Sequence, residues 1–148
     1  VYDPAARVNF GAIATHGDGT DLCIISYANG YYLSRQAAKV LEDTHGIRTR
    51  VIDLRWLNPV DYAAVIAAAT PCKNILIVDE CRTTGSLGHE LYAHLKPALP
   101  AHNIATHTAL DSFIPLGRVA TVTMPGKDSI IDAALDLAPK LKSLRGTK

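Results

Sequence analysis

The sequence predicts an α/β domain built on parallel strands with helices between them. Short β-branched runs at 22–27, 49–54, 75–79 and 104–108 begin about 26 to 29 residues apart, the rhythm of successive strand-helix units. The intervals between them carry helical periodicity. Two of the runs, continued through 51–61 and 75–88, pass from an apolar strand into a polar turn that opens a helix.

Taken in order, 8–14 is weakly strand-like and adds an edge to the sheet. The first helix spans about 31–44, with Leu33, Ala37, Val40, Leu41 and Thr44 on one face and Gly46 at the left-handed carboxyl cap. The second starts from Asn58 as amino-terminal cap, with Pro59 at the first helical position and Asp61 near the positive dipole end. Tyr62, Val65, Ile66 and Ala69 of that helix face inward. The third covers about 86–96, points Leu87, Leu91 and Leu95 at the core, and is stopped by Pro97 and Pro100, which lack backbone donors. The fourth runs from an Asp128 cap through Ile130, Ile131, Ala134, Leu135 and Ala138 to about Pro139.

The 148 residues suffice for one domain with a sizeable core. The whole chain, 1–148, is read as that domain, with a core at about 7–138 and a basic tail at 139–148 carrying Lys140, Lys142, Arg145 and Lys148. It starts without Met and is read as a piece of a longer polypeptide. Fifteen Lys and Arg nearly balance fourteen Asp and Glu, so no broad field favours nucleic acid or an anionic membrane. Apolar runs are strand-sized and no signal pattern opens the chain, which points to a soluble intracellular protein. Cys23, Cys72 and Cys81 are odd in number and widely spaced, unlike a disulfide framework or a zinc site.

In parallel sheets, ligands gather at the carboxyl-terminal rim where the winding direction switches. If that switch falls between the strands at 22–27 and 75–79, the crevice is lined by Asn29, Gly30, Glu80, Arg82, Thr83, Thr84 and Ser86. Arg55 and Arg82 could both reach the rim, and Ser86 opens a helix whose dipole favours negative charge, so these residues form a candidate anion or interface site. The alternative is structural pairing: Arg82 with Glu80 or a subunit neighbour, Arg55 with Trp56 or Asp61.

At this point a resemblance emerges. The stretch 19–30, Gly46 with Val51-Ile52-Asp53-Leu54-Arg55, Leu57-Asn58-Pro59-Val60-Asp61, and Asp79-Glu80 followed by Thr84-Gly85-Ser86-Leu87-Gly88 resemble, in that order and spacing, the carboxyl-terminal domain of the transketolase superfamily. The likeness is greatest to the beta subunits of thiamine-diphosphate-dependent 2-oxoacid dehydrogenases of the pyruvate or branched-chain type. It implies a three-layer α/β/α sandwich with a mixed five-stranded sheet in order 1-3-2-4-5, strand 1 antiparallel. It also implies a domain without catalytic residues of its own, working in subunit contacts within a dimer or heterotetramer. Thiamine diphosphate and magnesium would be held by other domains, and the lipoyl acyltransferase component is a further implied partner. A cytoplasmic home, or the mitochondrial matrix in a eukaryote, follows from the same resemblance. A transketolase or deoxyxylulose-phosphate synthase parent, and a free-standing organic-anion or nucleotide module, remain as alternatives; the second lacks a glycine-rich phosphate loop.

Other candidates carry weaker patterns. Gly17-Asp18-Gly19 is similar to the opening of a thiamine-diphosphate motif, but Glu42-Asp43-Thr44-His45 stands where its Asn pair belongs, and the segment reads as a turn. His89 and His94 are five apart, not the four that align metal ligands on a helix. His107 lies on a strand near the rim, and Cys81 follows a strand without a partner base.

Overall fold

A computed structural model describes residues 4–137. Ala138, Pro139 and the basic tail lie outside the described residues. The elements are β1 (Ala14–His16), β2 (Leu22–Ser26), α1 (Ala28–His45), β3 (Thr49–Asp53), α2 (Tyr62–Ala69), β4 (Asn74–Arg82), α3 (Leu87–Ala98), β5 (Asn103–Ala109), α4 (Ala120–Thr123) and α5 (Lys127–Leu137), with a 3-10 turn at Gly117–Val119 leading into α4.

The five strands form one sheet in the order β1-β3-β2-β4-β5. β1 runs antiparallel to β3, and the other neighbours are parallel. This is the order and the polarity implied by the family resemblance. Alternation along the strands divides the core between two faces. Leu22, Ile24, Val51, Leu76 and Val78 pack beneath α1 and α5, against Ala37, Leu41, Ile130 and Ala134. Cys23, Ile25, Ile52, Ile75 and Ile77 pack beneath α2 and α3, against Val65, Ala69, Leu91 and Leu95. Burial on both faces is why these strands read as continuous apolar runs. β3 and β4 leave β2 in opposite directions, so the switch in winding falls between β2 and β4.

Several boundaries differ from the sequence expectation. The edge strand is 14–16 instead of 8–14, because residues before it turn through Gly11 at φ 77° with Ala12 N–H on Asn9 O at 3.1 Å. α1 begins three residues early. Its carboxyl end is the predicted one: Gly46 sits at φ 61°, its N–H on Glu42 O, while Ile47 N–H reaches Leu41 O.

The cap of α2 is Asp61, not Asn58. The Asp61 carboxylate accepts the Ala64 N–H at 2.9 Å, and 54–60 is an irregular connection that includes a cis Asn58-Pro59 peptide. Asn and Asp rank alike as caps, so propensity could not choose between them. Pro97 does not stop α3, which runs on to Ala98. In the last turn a missing N–H removes a single helical bond, too little to end the helix there.

Asp128 is not the cap of α5 but stands in its first turn. There, Ser129 Oγ accepts the Gly126 N–H at 2.9 Å, a reach back from the third helical position that does the work of a cap.

Candidate functional site

The rim at the β2/β4 switch is organised by a buried carboxylate. Asp79, 1% exposed, accepts three hydrogen bonds: from Tyr27 Oη at 2.7 Å and Cys81 N–H at 2.8 Å on Oδ1, and from Gly88 N–H at 2.7 Å on Oδ2. Gly88 makes this approach possible, since a Cβ there would stand 3.2 Å from Asp79 Cβ. The negative charge favoured by the start of α3 is therefore supplied from within the chain. Burial first, then the Asp79 bond, pushes the Tyr27 phenol far up, so it stays a proton donor.

Around Asp79 the polar groups are mutually satisfied. Ser26 Oγ donates to Val78 O at 2.9 Å across the switch, and Gly30 lies so close that a Cβ would stand 2.5 Å from that hydroxyl. Ser86 caps α3, accepting the His89 N–H at 3.3 Å. Thr83 and Thr108 hydroxyls share a 2.7 Å bond. Thr84 donates its N–H at 3.1 Å and its hydroxyl at 2.6 Å to Asp111. Those two bonds, with a smaller contribution from Arg82, hold the Asp111 carboxyl below its usual range.

Of the residues singled out from sequence, Gly30 and Glu80 flank the switch, and Arg82, Thr83, Thr84 and Ser86 follow along the β4–α3 connection; Asn29 is exposed in the first turn of α1. Glu80, Cys81 and Arg82 belong to the strand itself, beyond the expected end at Asp79, where a register shift breaks its pairing with β5. Arg82 and Thr84 line an open cleft of about 420 Å³ with Asp111, Ser112 and Phe113. Arg55 stands apart. It lies just beyond the end of β3, two strand spacings or about 10 Å from β4, and pairs with its neighbour Asp53, N–H to Oδ1 at 3.2 Å and Nε to Oδ2 at 3.6 Å. Trp56 packs on Phe10 at 4.5 Å between centroids instead.

The remaining candidates fall away from this rim. Gly17-Asp18-Gly19 makes a tight turn against β3: a Cβ on Gly19 would stand 2.3 Å from the Arg48 carbonyl carbon, and Asp18 is exposed. These residues do not fit a thiamine-diphosphate or magnesium site, and among the described residues no three His, Cys, Asp or Glu converge on a metal position. His94 stacks on Tyr62 at 3.8 Å, and His102 Nε2 lies 3.1 Å from Thr70 O. His107 Nε2 lies 2.9 Å from Ser129 Oγ at the start of α5, and burial lowers its pKa.

What the sequence reading missed is the segment after β5. It exposes Leu110 (60%), Phe113 (95%), Ile114 (51%), Leu116 (96%), Val119 (58%) and Val122 (75%). Across the sheet, Val8, Phe10 and Leu57 are also exposed, near the β1/β3 end of the rim. The signal was present as large apolar residues without helical or strand period, interrupted by Pro115 and Gly117.

Residues 11–130 match the family model described as "Transketolase, C-terminal domain". The chain belongs to the transketolase C-terminal domain family. Similar curated proteins include the pyruvate dehydrogenase E1 component subunit beta of Staphylococcus epidermidis, 29% identical over 132 residues, which covers 86% of this chain and 40% of that one. The 1-deoxy-D-xylulose-5-phosphate synthase of Halothermothrix orenii is 28% identical over 81% of this chain and 19% of its own length. Among solved structures, one titled "Split gene transketolase, inactive beta4 tetramer" superposes with a TM-score of 0.79 at 24% identity, covering 96% of this chain and 46% of that one. This transketolase C-terminal domain thus spans about two fifths of the pyruvate dehydrogenase subunits it matches. No helix among the described residues is long and apolar enough to cross a membrane.

Proposed function

We propose that this domain is an assembly and interface domain of a thiamine-diphosphate-dependent 2-oxoacid dehydrogenase, the decarboxylating component that passes an acyl group to a lipoyl carrier. The observation that carries this reading is the rim. Its buried carboxylate, its helix cap and its threonines are all engaged within the chain, while large apolar side chains stand exposed at both ends. A surface so built suits contact with protein, not turnover. Similarity to pyruvate dehydrogenase beta subunits over 86% of the chain supports the choice of parent. Thiamine diphosphate and magnesium then belong to other domains of the parent. The partners are those domains, further subunits in a dimer or heterotetramer, and the lipoyl acyltransferase, in the cytoplasm of a bacterium.

The test is to express the natural full-length protein with its partner subunit and measure cofactor-dependent decarboxylation of pyruvate and branched-chain 2-oxo acids. Activity that vanishes with loss of assembly when residues 7–138 are deleted is the expected result. Ketol transfer between sugar phosphates, or deoxyxylulose-phosphate formation, would move the domain to a different parent.

A second reading rests on Arg82, exposed at a cleft beside Thr84. There a small organic anion would replace Asp111 as the acceptor. Titration with phosphate or small carboxylates, followed by NMR, should shift the Arg82, Thr84 and Ser86 amides, and silence up to high concentration removes it.

A further inference from the structure

Cys23 and Cys72 are far apart in sequence, but the fold brings them together at the end of the sheet opposite the rim. Cys23 is the second residue of β2, and Cys72 sits in the turn from α2 into β4. Both are 0% exposed and belong to the core beneath α2 and α3. Cys72 is held there by its N–H on Ala69 O at 2.9 Å and by Sγ, which donates to Gly19 O at 3.3 Å. The two thiols stand within hydrogen-bonding reach of each other.

A guanidinium joins them. Arg50 of β3 is the ladder partner of Cys23, so its side chain starts on the same face of the sheet. It donates to Ala68 O at 3.1 Å, near the end of α2, and to Asp18 O at 3.5 Å, one residue before the carbonyl that receives the Cys72 thiol. Its Nε is buried with no hydrogen-bond partner among the described residues. A donor left unpaired in a core calls for an acceptor, and an ionised Cys72 is the acceptor this cluster can supply. The bond from Cys23, and the Arg50 charge after it, lower the Cys72 pKa against the effect of burial, while the same bond and burial raise that of Cys23. Negative charge therefore falls to Cys72 and the proton stays on Cys23, an attacking sulfur beside a resolving one.

We propose that Cys23 and Cys72 form a reversible redox dithiol whose oxidant is a hydroperoxide. Opening of the turn between the exposed Pro71 and Lys73 brings the Cys72 sulfur to solvent. Its thiolate attacks the outer oxygen of the hydroperoxide and the O–O bond breaks; the oxygen that leaves takes the proton Cys72 gave up, and Cys72 becomes a sulfenic acid. The Cys23 sulfur then attacks that of Cys72, the S–O bond breaks, and water leaves with the Cys23 proton. Two thiols lose two electrons to one hydroperoxide, which ends as an alcohol and water. The disulfide ties β2 to the α2–β4 turn, and a dithiol reductant reverses it.

The test treats the 148-residue chain with hydrogen peroxide in the absence of denaturant, stops the reaction with catalase, unfolds the protein in N-ethylmaleimide and maps its tryptic peptides. The expected product is peptide 8–35 joined to peptide 56–73, distinct from the Cys81 peptide 74–82, and released by dithiothreitol. It should form equally in Cys81→Ser. Arg50→Gln should slow its formation about threefold, the loss of thiolate being offset in part by greater nucleophilicity at higher pKa, and Arg50→Lys should restore the rate. An Arg50 that only held the turn in place would, once replaced by Gln, loosen it and speed the reaction. Recovery of Cys23 and Cys72 as maleimide adducts at a peroxide concentration that fully oxidises Cys81, a link that requires Cys81, or a link that forms only in urea overturns the proposal.

Discussion

Replacing Asp79 by Asn tests whether a buried carboxylate fastens the rim. The amide has nearly the same shape, so packing is conserved and the change falls on hydrogen bonding. Asp79 accepts Tyr27 Oη and Cys81 N–H on one oxygen and Gly88 N–H on the other. An asparagine oxygen can keep the first pair, but its NH2 must then face the Gly88 N–H, donor against donor at a site 1% exposed. One charge-assisted bond, worth about 1.5–3 kcal/mol, is lost and a buried donor is left unsatisfied, so a destabilisation of about 3 kcal/mol is expected. For a chain of this length that lowers the melting temperature by roughly 6–12 °C. Urea unfolding followed by circular dichroism should show the midpoint fall with an unchanged slope. Tyr27→Phe, which removes one of three donors and leaves the charge in place, should cost less. A midpoint for D79N within about 0.5 kcal/mol of the parent would show that the network contributes nothing and refute the reasoning.

Three further outcomes follow from the same geometry. Burial lowers the His107 pKa below 6.5 in the folded chain; the native state therefore binds fewer protons than the unfolded one just below pH 6.5, and stability is present above that value and falls as pH drops through the folded pKa. His107→Gln should flatten this part of the profile in unfolding measured from pH 7.5 to 5. Asp61→Ala should destabilise by about 1 kcal/mol through loss of the α2 cap, while Asn58→Ala changes little; equal effects in chemical denaturation would contradict the cap assignment. Gly19→Ala places a Cβ 2.3 Å from backbone that cannot yield and should cost at least about 2 kcal/mol, whereas Asp18→Ala should be neutral in stability and in magnesium titration.

The fold was legible because both of its periodicities are local. Runs such as 22–25 and 75–78 are apolar on both faces, and Gly46 marks a left-handed cap that few other residues tolerate. Boundaries were less legible where two residues compete with similar propensity, as Asn58 and Asp61 do for α2, or where a rule weakens near a helix end, as for Pro97. At the rim, Glu80, Arg82, Thr83, Thr84 and Ser86 could be placed near the switch by topology alone. Tyr27 and Asp111 could not be matched to their partners, because Tyr27 meets Asp79 across 52 positions and Asp111 meets Thr84 across 27.

By itself, the sequence determined the class of fold, the succession of its elements and the resemblance that led to its family, since alternation, caps and strand-to-turn motifs are written in neighbouring residues. Tertiary structure alone decided that Arg55 turns back to Asp53, that Asp79 supplies the anion for its own helix, and that the chain after β5 faces outward. Those outcomes depend on which groups the order of the strands brings within reach of one another and on which apolar side chains lie outside the packed core.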